Sequence, residues 1–257
     1  MFLSYLLIDT EAKADRPRPG RNWIRNPYRV HQRLCMAFPS VVRKQRDPQF
    51  LDPFVPAEFQ SMTEPESNAP VHRVRDAEAG LLFRVDALLA TSPSRHVITV
   101  QSATLPDWEY ALHNAPEFLA AKPKVVEFIP TFRIGEQLRF KLRANPTKRL
   151  RVTSKLSTGA DIDPKWAEKR VGLFREEEQQ RWLEGKSERC GFRLLGIRLI
   201  SEGNTRAWKD KQELTFVSVL FEGQLEVTDA KAFLDTWVSG VGSGKGMGFG
   251  MLSVAAG

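Results

Sequence analysis

Hydrophobic positions along the chain fall into two sets, and each runs through the same alternation of strand and helix periods. "FLSYLLI" (2–8) is a short apolar run, long enough for a buried strand and too short for a helix. A polar, basic connector (11–25) leads to "NPYRVHQRLCMAF" (26–38), whose punctuation predicts a helix. Asn26 can cap it, Pro27 suits its first turn and Pro39 follows its end. At about 100° per residue, Val30, Leu34, Ala37 and Phe38 make one apolar stripe on that helix. Residues 43–78 hold five prolines and many charges with little periodicity, which predicts a long surface loop. "GLLFRVDALL" (80–89) and "HVITVQSA" (96–103) are expected strands, followed by a weakly patterned helix around 109–121 and a strand at "KVVEFIP" (124–130). The order β-α-β-β-α-β is the ferredoxin-like, or RRM-like, pattern.

The second set repeats it. "EQLRFKLRAN" (136–145) alternates strictly, with Leu138, Phe140, Leu142 and Ala144 on one face and Arg139, Lys141 and Arg143 on the other. "LFREEEQQRWLEGKSE" (173–188) is strongly helical. "GFRLLGIRLISE" (191–202) and "ELTFVSVLFEGQLEV" (213–227) predict two strands joined by a polar turn, and a helix at 229–238 and a strand at 249–255 complete the unit. The expected architecture is therefore α+β, two tandem ferredoxin-like domains at 1–132 and 133–257. The first carries the helix at 26–38 and the Pro-rich insertion 43–78; the second carries a basic hairpin and a glycine-rich loop.

With 257 residues the chain is long enough for two such cores. A net charge of +7 favours an acidic partner, nucleic acid or an anionic surface. No apolar run approaches the roughly 20 residues of a membrane span. "MFLSYLLIDTEAK" lacks a basic start and runs straight into acidic residues, unlike a signal peptide. Cys35 and Cys190 are the only cysteines, too few for a disulfide framework. These features point to the cytoplasm.

"GVGSGKGMGFG" (240–250) sets six glycines around Lys245. It is not a nucleotide-binding P-loop. Ser239 stands where the first glycine of that motif belongs, Gly246 replaces the metal-binding hydroxyl, and the order is helix, loop, strand instead of strand, loop, helix. Two readings stay open: a tight turn, or a glycine backbone with one cation that a larger polyanion can approach closely. No two histidines share ligand spacing, so no zinc site is expected. Asp161 and Asp163 of "DIDP" read as a polar loop before a helix, with magnesium binding as the rival. His31 lies at the margin of the apolar stripe of its helix, with Tyr28 three residues earlier on the same half-exposed face. An imidazole beside a phenol near a helix N-terminus suits proton transfer at neutral pH next to an anion. The bland reading is a helix-flank histidine making an ordinary hydrogen bond. Arg139, Lys141 and Arg143 continue into Lys148, Arg149, Arg151 and Lys155, either a phosphate track or a solvated sheet face. "RAWKDK" (206–211), at the hairpin tip, adds Arg206, Lys209 and Lys211.

Taken together, these stretches resemble the CasE family of CRISPR RNA-processing endoribonucleases. "FLSYLLID" with "NPYRVHQRLCMAF" is similar to its opening strand and catalytic helix. "LRFKLRANPTKR", "KRVGLFREEEQQRWLEGKSERCGFRLL", "LFEGQLEVTDAKAF" and "GVGSGKGMGFGMLSVA" are similar to its other signature segments, in the same order. The stretch 43–78 is longer than the family usually carries. The resemblance implies a metal-independent, cofactor-free endoribonuclease that cuts the CRISPR repeat RNA hairpin at the base of its stem by 2′-hydroxyl attack. It implies His31 and Tyr28 as catalytic residues. The RNA-binding set it implies is Arg139, Lys141, Arg143, Lys148, Arg149, Lys169, Arg170, Arg206, Lys209, Lys211, Gly242, Gly244, Lys245 and Gly246. The implied partners are the repeat RNA and the other Cascade subunits, with no membrane. A non-catalytic RNA-binding subunit of the same superfamily is the alternative.

Overall fold

The first half of the chain builds one antiparallel sheet from Phe2–Ile8 (β1), Leu81–Leu88 (β2), Arg95–Ser102 (β3) and Lys124–Glu127 (β4), in the order β2-β3-β1-β4. The computed structural model describes residues 1–11, 19–55, 81–88, 95–150, 168–209 and 211–257. In the second half the strands are Gln137–Ala144 (β5), Thr147–Arg149 (β6), Arg170–Gly172 (β7), Phe192–Lys209 (β8), Gln212–Val227 (β9) and Leu252–Ala256 (β10). Its main sheet runs β10-β5-β9-β8, while β6 and β7 pair apart as a small ribbon. Counted within each half, both sheets place the last strand beside the first and the first beside the third. That is the ferredoxin-like arrangement, twice.

The cores follow the alternation. Leu138, Phe140, Leu142 and Ala144 of β5 are buried, and they meet Leu183, Phe221, Phe233 and Leu252. The first core joins Leu6 and Ile8 of β1 to Phe83, Ile98 and Val100. Against it lie Val30 and Leu34 from the helix Pro27–Cys35 (α2), which follows a short helix Pro19–Ile24 (α1). The connecting segment that holds the expected division at 132/133 packs its aromatics on the helix Ala230–Ser239 (α6). Phe132 meets Phe233 at 4.7 Å and Phe128 meets Trp237 at 5.8 Å. The halves also share a polar seam: Arg84 donates to the Ser253 hydroxyl at 2.8 Å and Gln101 to the Trp237 carbonyl at 2.9 Å.

Five expectations change. The connector 11–25 contains α1, where Gly20 is pressed so close to the Asp9 backbone that a Cβ would collide; Trp23 then stacks on Phe118 at 5.0 Å. The expected loop 43–78 starts as a helix, Val41–Arg46 (α3), capped by the Ser40 hydroxyl. Arg43 is buried there, because its guanidinium donates to the Asp47 carboxylate (2.7 Å), the Tyr110 hydroxyl (3.2 Å) and two backbone carbonyls; residues 56–78 lie outside the described residues. The helix near 109–121 is one turn, Trp108–Ala111 (α4), since Pro116 interrupts it and opens a separate 3-10 turn. The helix expected at 173–188 starts later, at Glu176–Ser187 (α5), and the polar stretch 203–209 is strand, not turn. β8 and β9 thus form one long hairpin whose tip projects beyond the sheet.

Candidate active site

α2 begins where its sequence says it should. Asn26 takes an extended backbone and its side-chain oxygen accepts from the Tyr28 amide at 3.2 Å, while Pro27 occupies the first turn. The same side chain does a second task. Its oxygen accepts from the Trp208 amide and its NH₂ donates to the Trp208 carbonyl, both at 3.1 Å. A side-chain amide thereby imitates one rung of a β-ladder and ties the far end of β8 to the N-terminus of α2. The tether brings Lys209 over the Tyr28 ring, its ammonium 5.8 Å from the centroid.

His31 lies one turn further along, half-buried beside the fully buried Val30. Its ring is nearly parallel to that of Phe83 on β2, with centroids 6.3 Å apart. The Cys35 thiol is 3.8 Å from each ring nitrogen, so it lies against the ring and in line with neither. Burial pushes that thiol up to about 12, which keeps it protonated and excludes it as a thiolate nucleophile. The third wall is the glycine-rich loop: a Cβ placed on Gly246 would stand 3.5 Å from the imidazole Nε2. Gly248, at φ +83°, lets the loop turn against Phe83, where a Cβ would come to 3.2 Å. A helix and a strand of the first half, and a loop and a hairpin of the second, thus converge on His31 and Tyr28.

The cations expected to line an RNA path are placed unevenly. Lys209 and Lys245 reach the surroundings of α2, Lys209 over Tyr28 and Lys245 in the turn Lys245–Met247 beside Gly246. Gly242 and Gly244 both take positive φ in the loop. Lys211 is exposed at the hairpin tip, and Arg206 pairs with Glu213 at 3.4 Å. The face of β5 is less free than its alternation suggests. Arg143 donates to both Glu202 oxygens at 2.7 and 2.8 Å, and Lys141 lies 3.4 Å from Asp86 and 3.8 Å from Glu222. Burial alone would raise the Glu202 carboxyl, but the Arg143 bonds outweigh it and hold it below its ordinary value. Asp86 is held down in the same way by Arg84, Lys141 and Arg143. Arg139 donates to the Ala256 carbonyl. Lys148 and Arg149 pair with Glu178 and Glu168, and Arg170 donates to Thr147 while Lys169 precedes it at the start of β7. Arg151, Lys155, Asp161 and Asp163 lie outside the described residues. Among the described residues no three His, Cys, Asp or Glu side chains cluster as metal ligands, and no helix is long and apolar enough to cross a membrane.

Residues 1–256 match the family described as CRISPR associated protein. The chain is 35% identical over 267 residues to the CRISPR-associated endoribonuclease Cse3 of Thermus thermophilus, covering 99% of this chain and 100% of that one. It is 30% identical to the CRISPR system Cascade subunit CasE of Escherichia coli, covering 99% of each. Among solved structures, a CRISPR endoribonuclease Cse3 bound to a 19-nucleotide RNA superposes with a TM-score of 0.65 at 30% identity, over 99% of this chain and 100% of that one. Thermus thermophilus Cse3 bound to an RNA representing a pre-cleavage complex gives 0.62 at 29%, over 99% and 98%.

Proposed function

The chain belongs to the CasE (Cse3) family of CRISPR-associated proteins, and from that membership we propose that it is an endoribonuclease that cuts the hairpin of CRISPR repeat RNA without a metal. One observation carries the reading. Among the described residues His31 is the single histidine at the junction of both halves, walled by Phe83, Cys35 and Gly246, with Tyr28 one turn away and the Lys209 ammonium over the phenol.

RNA brings its own nucleophile. The 2′-hydroxyl beside the scissile phosphate loses its proton to the His31 imidazole and its oxygen bonds to phosphorus. The P–O5′ bond then breaks and the leaving 5′-oxygen takes up a proton. The products are a 2′,3′-cyclic phosphate and a 5′-hydroxyl. The enzyme needs to hold the oxygen, phosphorus and leaving group in line and to shift protons, which one imidazole and a fixed scaffold can do. Charge accumulating on the phosphoryl oxygens is met by Lys209 and by the backbone of the loop 240–250, which carries no side chain at Gly246 to block approach. The basic tip of the β8–β9 hairpin is narrow enough to follow the phosphates of an A-form stem. The cut RNA stays bound and is carried into Cascade with the other subunits, in the cytoplasm.

The test is cleavage of a labelled repeat hairpin in excess EDTA, by wild type and by His31→Ala. Wild type should cut, leaving a cyclic phosphate. A single 2′-deoxy substitution at the cut should block it, and His31→Ala should be slower by about 10²–10⁴-fold with repeat binding kept. Tyr28→Phe should slow it less. Binding without cleavage by wild type would overturn the enzyme reading in favour of an RNA-binding subunit, and loss of activity in EDTA would overturn metal independence.

A further inference from the structure

Four of the cations near the glycine-rich loop have no acidic partner among the described residues, and they are gathered in one place. Arg143, Lys148, Arg149, Arg193 and Arg206 each pair with a glutamate. Arg170 of β7, Lys186 in the last turn of α5, Arg189 just beyond it and Lys245 do not, and all four line one pocket of about 390 Å³. Ser239, Ser243 and Thr236 add hydroxyls to its wall, and among the described residues no carboxylate lines it.

Like charges gathered around one cavity are unfavourable unless something answers them. The α5 C-terminus contributes about half a negative charge, well short of four cations. The cost is visible in two groups: burial and the neighbouring cations push the Lys186 ammonium below the ordinary lysine value, and burial and Lys186 do the same to Lys245. The Lys186 stem is held in place over the Trp182 ring, its ammonium 5.1 Å from the centroid. A fixed ring of unanswered cations, with a hydroxyl between them, is a site built for an anion bearing several oxygens.

The position of the pocket says which anion. Lys245 faces this cavity, and the next residue, Gly246, faces His31. Consecutive residues of one turn, with Cα atoms about 4 Å apart, therefore face the pocket and the imidazole. An A-form duplex is too broad to enter a recess of this size, whereas a single strand can turn one phosphate inwards. We propose that this pocket is a phosphate subsite that holds one backbone phosphate of the single-stranded RNA adjoining the cut. The proposal rests on the endoribonuclease reading above. It adds a second anchor, which fixes the strand on the far side of the loop from the hairpin tip's phosphate contacts and so sets the register of the scissile bond.

The experiment compares two repeat RNAs that carry a 2′-deoxy sugar at the cut, one ending there and one extended by a short single-stranded flank. Lys186→Met keeps the packing on Trp182 and Arg189→Gln lies at the rim; the double variant and each single one are measured beside wild type, with matched melting temperatures as the folding check. The double variant should bind the flanked RNA about tenfold more weakly, with a log K against log salt slope shallower by about 0.7, as one lost phosphate contact requires, and bind the bare hairpin unchanged. One methylphosphonate, walked along the flank, should weaken wild-type binding at a single position and leave the double variant indifferent there. Equal losses on both RNAs, or no loss on either, would overturn the subsite while the nuclease reading stands. Failure of wild type to bind or cut the hairpin would overturn both.

Discussion

Asn26→Ser separates two roles that one side chain performs. Serine caps a helix about as well as asparagine, so the bond to the Tyr28 amide survives, but its hydroxyl is too short to reach Trp208. The two lost bonds, both at 3.1 Å, join a nearly buried amide to one backbone residue of β8. At about 1 kcal/mol each the change should cost about 2 kcal/mol. Asn26→Ala also removes the cap, worth about 1 kcal/mol, for a total near 3 kcal/mol. Urea unfolding of the three proteins at fixed pH measures both differences. Amide exchange supplies the local readout: the Trp208 N–H should lose protection in both variants, and the Tyr28 N–H in the alanine variant alone. Cleavage should slow in Asn26→Ser although it leaves His31 and Tyr28 untouched, because Lys209 is then no longer held over the phenol. Equal stability of wild type and Asn26→Ser, or unchanged protection of Trp208, would refute the tether.

Replacing Arg206, Lys209 and Lys211 together by alanine should weaken binding of any RNA stem of suitable length and flatten its salt dependence. Arg206 already answers Glu213, so a slope change of about two units is expected, and an unchanged slope in a salt titration would reduce the tip to a solvated turn. Glu202 gives a pH signature: its folded carboxyl is held below the ordinary 4.5, so its contribution is complete above that value and is lost as the pH falls through the folded value. Glu202→Gln should lower stability by about 1 kcal/mol at pH 7, after solvent screening, and make the acid limb of a stability-against-pH curve shallower; an unchanged limb would contradict the pairing.

Much of the fold was legible because its evidence is local. Strict alternation marks β5 within one run of residues, and Asn26-Pro27 marks the start of α2 before any partner is known. The juxtaposition of Tyr28 and His31 is a matter of helical spacing. What was not legible depends on residues distant in sequence. The acids that occupy Lys141 and Arg143 come from β2, β8 and β9, so a basic face read from one strand looked unopposed. Arg43 reads as a surface charge until Asp47, Tyr110 and the carbonyls of 52 and 53 enclose it. The polar stretch 203–209 has the composition of a turn and becomes strand because β9 pairs with it residue by residue. Nothing in "NPYRVHQ" shows that Asn26 reaches Trp208, or that Gly246 will close the wall beside His31.

That wall has a consequence for the order in which the protein is made. His31 leaves the ribosome early, while Gly246 and Gly248, which close its site, follow roughly two hundred residues later, and a first half that folds as a unit does so without them. During that interval the imidazole has Phe83 and Cys35 beside it but no loop to receive a phosphate and no hairpin over Tyr28. On the proposed assignment of His31, the growing chain is therefore a silent nuclease, and the cell's other transcripts meet that arrangement only in molecules whose two halves have both been synthesised and docked.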